Sequence, residues 1–323
     1  MRNRLFLIFC AIVYCHRPAV ENHNFVLVSE CHLPGYSKDL DIQGDYAYIA
    51  NDQGGLKIVD ISNPESTLVV GDYVGQTVFQ SIAVRDSFAY VGYIGYLDDK
   101  GLMIFNIQNP KAPSFISQDP TNRPYQICAP ECKGDTQYIY IAASYWFIIE
   151  DVSWPQFPSK VRWFATPGNV RSLFVADSIV FLTCEQVGVI VYNLNNPDST
   201  ARIGEIDTPS NARDIFVSGL HAYVADGYGG LVIIDITNID SMEIVGIYNT
   251  PGYAQGVFVE GNLAYVADGT GGVQVIDVST PESPVLYGKL STPYAYNLKV
   301  GNGIIYLVDR DMGLVIIKEE ISE

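Results

Sequence analysis

Three cations recur at one repeated offset in this chain, among amides and tyrosines. Ten residues before a series of aromatics (Tyr48, Tyr90, Phe181, Tyr223, Tyr265 and Tyr306) stand Lys38, Gln80, Arg171, Arg213, Gln255 and Tyr296. The next positions are Asp39, Ser81, Ser172, Asp214, Gly256 and Asn297. One copy carries an extra pair of residues here, so Tyr125 and Gln126 take the position only approximately. Gathered in a concavity, such groups form a binding site that grips a polar ligand by hydrogen bonds and charge. The alternative, that they only solvate a channel and cap strand ends, stands beside it.

Two further polar series invite chemistry. Asp52, Glu185, Asp226, Asp268 and Asp309 recur in one turn, and as a ring of oxygen ligands they would suit Ca²⁺. Asp-Gly turn chemistry explains the same residues, because Gly tolerates positive φ. No cofactor is therefore expected, with Ca²⁺ as the alternative. The acid or amide at Asp60, Asn106, Asp151, Asn193, Asp235 and Asp277 precedes a polar turn, where a short side chain accepts backbone N–H bonds. Catalysis finds little support: His16, His23, His32 and His221 lack metal-ligand spacing, and neither a nucleophile elbow nor a phosphate loop occurs. No catalytic residue is assigned.

The elements that carry these residues follow from self-similarity. The aromatic anchors, with Tyr140 included, are spaced 42, 50, 41, 42, 42 and 41 residues apart, which gives seven copies of a roughly 40-residue unit. In the fifth copy ARDIFV, HAYVA, LVIID and EIVGIY are short runs rich in Val, Ile and Tyr, separated by Gly, Asp and Ser turns. Four such strands make an antiparallel meander. In Leu231–Ile234 every residue is apolar, so both strand faces are covered, as in one blade of a propeller packed between two others. The expected fold is all-β, a seven-bladed β-propeller of four-stranded antiparallel blades with almost no helix.

The last copy stops after GLVIIK, whereas NFVLVSEC (24–31) precedes the first copy and aligns with a fourth strand. The N-terminal strand is expected to complete the last blade and close the ring. The long interval between the second and third anchors is assigned to Gly92–Lys100, an apolar loop; its Tyr93 and Tyr96, with Tyr145 and Trp146 of the next copy, are candidate partner contacts or, alternatively, pack over the ends of blades two and three.

GGLKIVD (54–60), GGLVIID (229–235), GGVQVID (271–277) and MGLVIIK (312–318) resemble the LVIVD repeat of bacterial and archaeal surface proteins. The resemblance spans residues 25–318 and implies an exported β-propeller; it is nearly silent on chemistry. YWFIIED (145–151) and VGVIVYN (187–193) depart from it by lacking the double glycine, and the Trp-Asp signature of another propeller repeat is absent.

The formal charge of −17 disfavours nucleic acid and anionic membrane surfaces as partners. Arg2 and Arg4 precede an apolar run from Leu5 to Tyr14, which reads as an export signal too short to span a bilayer; Cys15 offers lipid anchoring as an alternative to free secretion. The expected division is a leader (1–20), a single propeller (24–318) and a short acidic tail (319–323). In an oxidising compartment Cys128 and Cys132, flanking a predicted hairpin turn in CAPEC, are expected to form a local disulfide. The reading is of a secreted or cell-surface module that binds a protein or glycan. A hydrolase or lyase with an axial site and a structural surface-layer component are the alternatives. An enzyme calls for a bound metal or a strongly perturbed acid near the axis; a binding module calls for a basic or aromatic patch.

Overall fold

The computed structural model describes residues 23–95, 99–120, 124–133, 136–195 and 200–320, with backbone only for 128–133. Blades one to seven run over Asp39–Tyr73, Val78–Pro120, Pro124–Val170, Ser172–Ile206, Asp214–Tyr248, Gly256–Leu290 and Ala295–Glu319. Each is an antiparallel meander from the axis outward. In blade five, Phe216 pairs with Tyr223, Tyr223 with Ile233 and Ile233 with Gly246. Blade three reaches the same arrangement with one long strand run, Thr136–Asp151, which folds back on itself. The Val152 N–H donates to the Gln137 carbonyl (2.8 Å), and Ser144 adopts φ 52° at the reversal.

The core is a ring of seven apolar clusters, one between each pair of neighbouring blades. Alternation along each strand supplies both faces. Tyr48 and Ile58 pack toward blade two, whereas Ala47, Ile49 and Val59 pack toward blade seven. This explains why Leu231–Ile234 is apolar throughout: all four residues are fully buried.

Glycines set the turn and the blade spacing. The second glycine of each pair has positive φ (74° at Gly230, 82° at Gly188), and a Cβ there would stand 2.3 Å from the Tyr248 or Ile206 carbonyl oxygen. Copy four therefore keeps Gly188 although it has Val187 in place of the first glycine. In the outer strand, Gly71 lets blade one approach the Pro110 carbonyl of blade two, where a Cβ would be 2.0 Å from the oxygen.

The N-terminal strand His23–Cys31 pairs antiparallel with Gly313–Glu319, from Phe25 with Glu319 to Cys31 with Leu314. It is thus the fourth strand of blade seven. The Ser29 hydroxyl donates to the Pro64 carbonyl of blade one (2.6 Å), just as Ser117 of blade two donates to Pro155 of blade three (2.5 Å). His23 and Asn24 continue beyond the blade and pair in parallel with Gly288 and Lys289 of blade six.

Two expectations change. The length of copy two is not confined to Gly92–Lys100: the strands Phe88–Ile94 and Lys100–Asn106 are 7 residues each, and Pro124–Lys133 at the start of blade three is 10, where their counterparts in blade five have 5. Cys128 and Cys132 do not flank a turn. Both lie in the strand Pro124–Lys133, opposite Tyr140 and Gln137 with a register shift between them, so the hairpin reverses after Lys133. The proposed Cys128–Cys132 bond involves side chains outside the described residues, as does the leader. Cys31 and Cys184 are buried free thiols. Among the described residues no helix is long and apolar enough to cross a membrane.

Candidate functional site

The recurrent polar residues reach the axis in two ways: a bulge displaces them from the first strand of blades two, three and seven, and in blades one, four, five and six they stand one position before that strand begins. In blade two Phe79 pairs with Tyr93 and Ser81 with Gly92, leaving Gln80 between them unpaired; Tyr125 and Tyr296 are skipped in the same way. In blade five Ala212 bridges Glu185 of blade four and the strand begins at Asp214 opposite Ala225, so Arg213 stands between the two pairings. Backbone bonds fix the offset: the Lys38, Arg171, Arg213 and Gln255 N–H groups donate to Ala50, Thr183, Ala225 and Ala267 at 2.8–2.9 Å. A bulge re-aims a side chain that a regular strand would send into the neighbouring blade.

These side chains line a cavity of about 200 Å³ at one end of the channel: Lys38, Asp39, Gln80, Tyr125, Gln126, Arg171, Ser172, Arg213, Asp214, Tyr296 and Asn297. Of the residues expected at the mouth, Ser81, Gln255 and Gly256 lie outside it. Gln255 accepts from Arg213 Nη2 (3.2 Å), donates to the Tyr294 hydroxyl (2.9 Å) and lines an adjoining cavity of about 490 Å³ with Tyr228, Tyr253 and Tyr294. A cavity of about 390 Å³ near the opposite end, lined by Asp41, Phe258 and Lys299 among others, shares no residue with the first. Phe174, Phe216 and Phe258 of successive blades meet edge-on or tilted, with centroids 5.0 and 4.6 Å apart.

The mouth has two layers. In the upper layer cations lie over aromatic rings: Arg171 over Tyr125 (4.0 Å), Lys38 over Tyr296 (4.9 Å) and Arg213 over Tyr253 (5.7 Å). Arg171 Nε and Arg213 Nη1 are each 3.5 Å from the same Glu185 Oε1. Burial first, and then the Arg213 charge, lower the Arg171 pKa.

In the layer beneath, carboxylates hold the ring. Asp39 Oδ2 accepts from the Ile82 N–H of blade two (2.9 Å), and its Oδ1 accepts from the Leu40 N–H (2.9 Å) and from Asn297 Nδ2 of blade seven (2.7 Å). Asp41 accepts from Val84 N–H (2.8 Å) in the same direction. Asp214 accepts from Ser172 Oγ of blade four (2.6 Å) and the Val257 N–H of blade six (2.9 Å). Burial pushes Asp39 up to about 7 against the pull of Lys299, and raises Asp214 too. The sequence placed Asp39, Asp214 and Asn297 beside a ligand; they line the cavity, but their hydrogen-bonding capacity is directed at neighbouring blades.

The acidic turn series divides into two positions. Asp226 and Asp268 accept from Thr208 and Thr250 hydroxyls (2.7 and 2.6 Å) and from the Ser210 and Gly252 N–H groups (both 2.7 Å), while Asp309 accepts from Tyr294 N–H (2.8 Å). They tie the loop entering a blade to the turn above it. Asp52 and Glu185 occupy the next position, with φ 40° and 37°, where blades five and six have Gly227 and Gly269. Only this second pair faces the mouth, where Gln80 Nε2 lies 3.5 Å from Asp52 Oδ1. The series is therefore not one ring of ligands. Among the described residues no three His, Cys, Asp or Glu side chains gather in a way that could hold a metal. The strand-closing Asx residues all form turns: the N–H two residues on donates to Asp60, Asn106, Asp151, Asn193, Asp235 and Asp277 at 2.8–3.0 Å.

Of the expected contact residues, Tyr145 is 60% exposed and Trp146 packs partly against the core between blades two and three. Tyr93 is a correction: it is fully buried, and its hydroxyl donates to Asp99 Oδ1 (2.7 Å) because the strand Phe88–Ile94 extends past the usual turn point. Tyr96 lies outside the described residues. Tyr253 and Tyr294 were missed, although each stands two positions before a residue that was singled out, as Tyr36 does before Lys38.

Four-stranded blades closed in a ring around a polar mouth define the class of this protein as a β-propeller. The LVIVD repeat model matches residues 34–74, 78–118, 209–250 and 251–292, just over half of the chain, and the protein belongs to that family. Solved propellers share the fold at low identity. The WD40 β-propeller domain of Doa1 is 12% identical (TM-score 0.68, covering 92% of this chain and 98% of that one). The RRP9 WD40 repeats are 11% identical (0.67, 92% and 97%), and the computationally designed Ika8 protein is 10% identical (0.58, 90% and 98%). No match is found among curated proteins.

Proposed function

We propose that this propeller is an exported, cell-surface binding module whose partner, a protein or glycan, is held across the mouth formed by Lys38, Arg171, Arg213 and Tyr296. One observation carries the reading: three cations converge in a partly enclosed cavity of an acidic protein, and two of them share one carboxylate, Glu185, through 3.5 Å contacts. At 3.5 Å both contacts are longer than charge-assisted bonds at full strength, so the two guanidinium groups, though only 15–17% exposed, keep donors for a ligand. Export is supported by Arg2 and Arg4 ahead of the apolar run Leu5–Tyr14. The test is capture of a partner from a cell-envelope extract by the wild type and by Arg171→Ala/Arg213→Ala. Loss of capture at an unchanged melting temperature supports the reading; undiminished capture removes it.

A second reading, a hydrolase or lyase, is favoured by Asp39, an acid near the axis pushed up to about 7. Against it, both Asp39 oxygens already accept bonds from other blades, and a carboxyl so engaged is poorly placed to exchange a proton with a ligand. Turnover of a glycan or ester panel that disappears in Asp39→Asn would favour the enzyme.

A further inference from the structure

The mouth and the tyrosine-lined cavity beside it are joined through Arg213, which lines both. Tyr228 is 78% exposed, and its ring stands edge-on to Tyr253 at 4.8 Å. Such aromatics offer an apolar face to a ring and a hydroxyl to its edge. Tyr294 completes the shelf, its hydroxyl accepting from Gln255.

We infer that this continuous surface takes an acidic oligosaccharide, with one anionic sugar seated between Arg171 and Arg213 and the neighbouring sugars resting on the shelf of Tyr228, Tyr253 and Tyr294. The inference rests on the binding-module reading and names its ligand class. Two guanidinium groups that converge on one carboxylate oxygen from neighbouring blades form a cradle that a carboxylate or sulfate can share with, or take from, Glu185. The 3.5 Å contacts to Glu185 are longer than charge-assisted bonds at full strength, which leaves both guanidinium groups donors to spare.

A peptide is the less suitable occupant. Strand addition needs a free sheet edge, and here the backbone donors beside the site are engaged. Arg213 and Gln255 N–H groups donate to the second strands of their own blades, while Gly252 and Tyr253 donate to the Asp268 side chain and carbonyl. Recognition is left to guanidinium, amide and phenol groups, which suit hydroxylated rings bearing an acid.

The test is calorimetric titration of the full chain with a uronic-acid trisaccharide, a sulfated trisaccharide of galactose, the neutral galactose trisaccharide and hexaglutamate. At least one acidic sugar is expected to bind, and the two arms tell carboxylate from sulfate. Its affinity should fall at least tenfold in Arg213→Ala and severalfold in Tyr228→Phe/Tyr253→Leu, while the neutral sugar binds at least tenfold more weakly. Arg213→Lys, which keeps the charge but loses the fork, should also weaken binding and covers the case in which the alanine variant fails to fold. Equal binding of the neutral sugar overturns the anion site, and tighter binding of hexaglutamate overturns the glycan class. If neither acidic sugar binds while envelope capture still depends on Arg171 and Arg213, the ligand class is wrong and the binding module stands. Loss of both results overturns both.

Discussion

Arg171 and Arg213 precede Ser172 and Asp214 by one residue, yet the two layers they belong to do opposite things. In the upper layer Lys38, Arg171 and Arg213 lie 4.0–5.7 Å from ring centroids, the two arginines 3.5 Å from one shared carboxylate, and Arg213 donates to Gln255 at 3.2 Å. The lower layer of Asp39, Asp41, Asp214 and Asn297 crosses from blade to blade through bonds of 2.6–2.9 Å, several of them to backbone N–H groups. Position relative to the first strand makes the difference: the residue just before it, or displaced from it by a bulge, turns to the axis, and the next returns to the interface between blades. Polar variation around a propeller axis therefore contains two populations, and the one outside the regular first-strand pairing is the one open to a ligand.

The comparison can be broken from either side. The largest effect is expected on ring closure. A chain beginning at Pro34 lacks the strand His23–Cys31, which leaves the Gly313–Glu319 edge unpaired and the ring unclosed, and it should lose its cooperative thermal transition in calorimetry. Within the lower layer, Asp39→Ala leaves the Ile82 N–H and the Asn297 amide without their acceptor and should cost ~2–3 kcal/mol in denaturant unfolding. Asp214→Ala should behave alike for Ser172 and Val257. A loss below about 0.5 kcal/mol would return these aspartates to the ligand layer.

A third acid sharpens the contrast by lacking what Asp39 has. Glu150 is fully buried between blades two and three, and neither carboxyl oxygen has a hydrogen-bond partner among the described residues. Burial, reinforced by Asp119, pushes it up to about 8 from 4.5. The folded state thus holds more protons than the unfolded chain between those values, so stability falls as pH rises from about 4.5 to about 8 and levels off above. Asp39, pushed up to about 7 from 3.8, acts with the same sign over its own window. Glu150→Gln should flatten the slope between about pH 7 and 8, where Asp39 no longer contributes, and raise the melting temperature at pH 8.5 by about 5 °C. An unchanged slope would place the pH dependence elsewhere. The smallest effect belongs to the upper layer: Arg213→Ala, which loses one hydrogen bond to Gln255 and the packing over Tyr253, should change stability by about 1 kcal/mol or less.

The legibility of the sequence follows the same division. Repeated residues such as the LVIID strand, the second glycine and the Asx turns report packing that every blade must satisfy, so the sevenfold ring and its N-terminal closure were readable. The mouth positions were readable as a column because the backbone bond from Arg213 to Ala225 repeats as Lys38 to Ala50. What each column does was not, since the strand start that separates Arg213 from Asp214 leaves no mark in residue type. The acidic series was blurred for a related reason: Asp52 aligns with Gly227 rather than Asp226, a shift of one residue that moves a side chain from the turn to the mouth. Tyr93 was misread because strand extension, unlike loop insertion, buries the added residues.

The central claim is that the cations of the upper layer serve a ligand and not the ring. Its most direct test is capture of partner from a cell-envelope extract by Arg171→Ala/Arg213→Ala, with the melting temperature recorded on the same sample. The account predicts a melting temperature within about 2 °C of wild type and capture reduced at least tenfold. Full capture, or a collapse of the melting temperature comparable with Asp39→Ala, would contradict it.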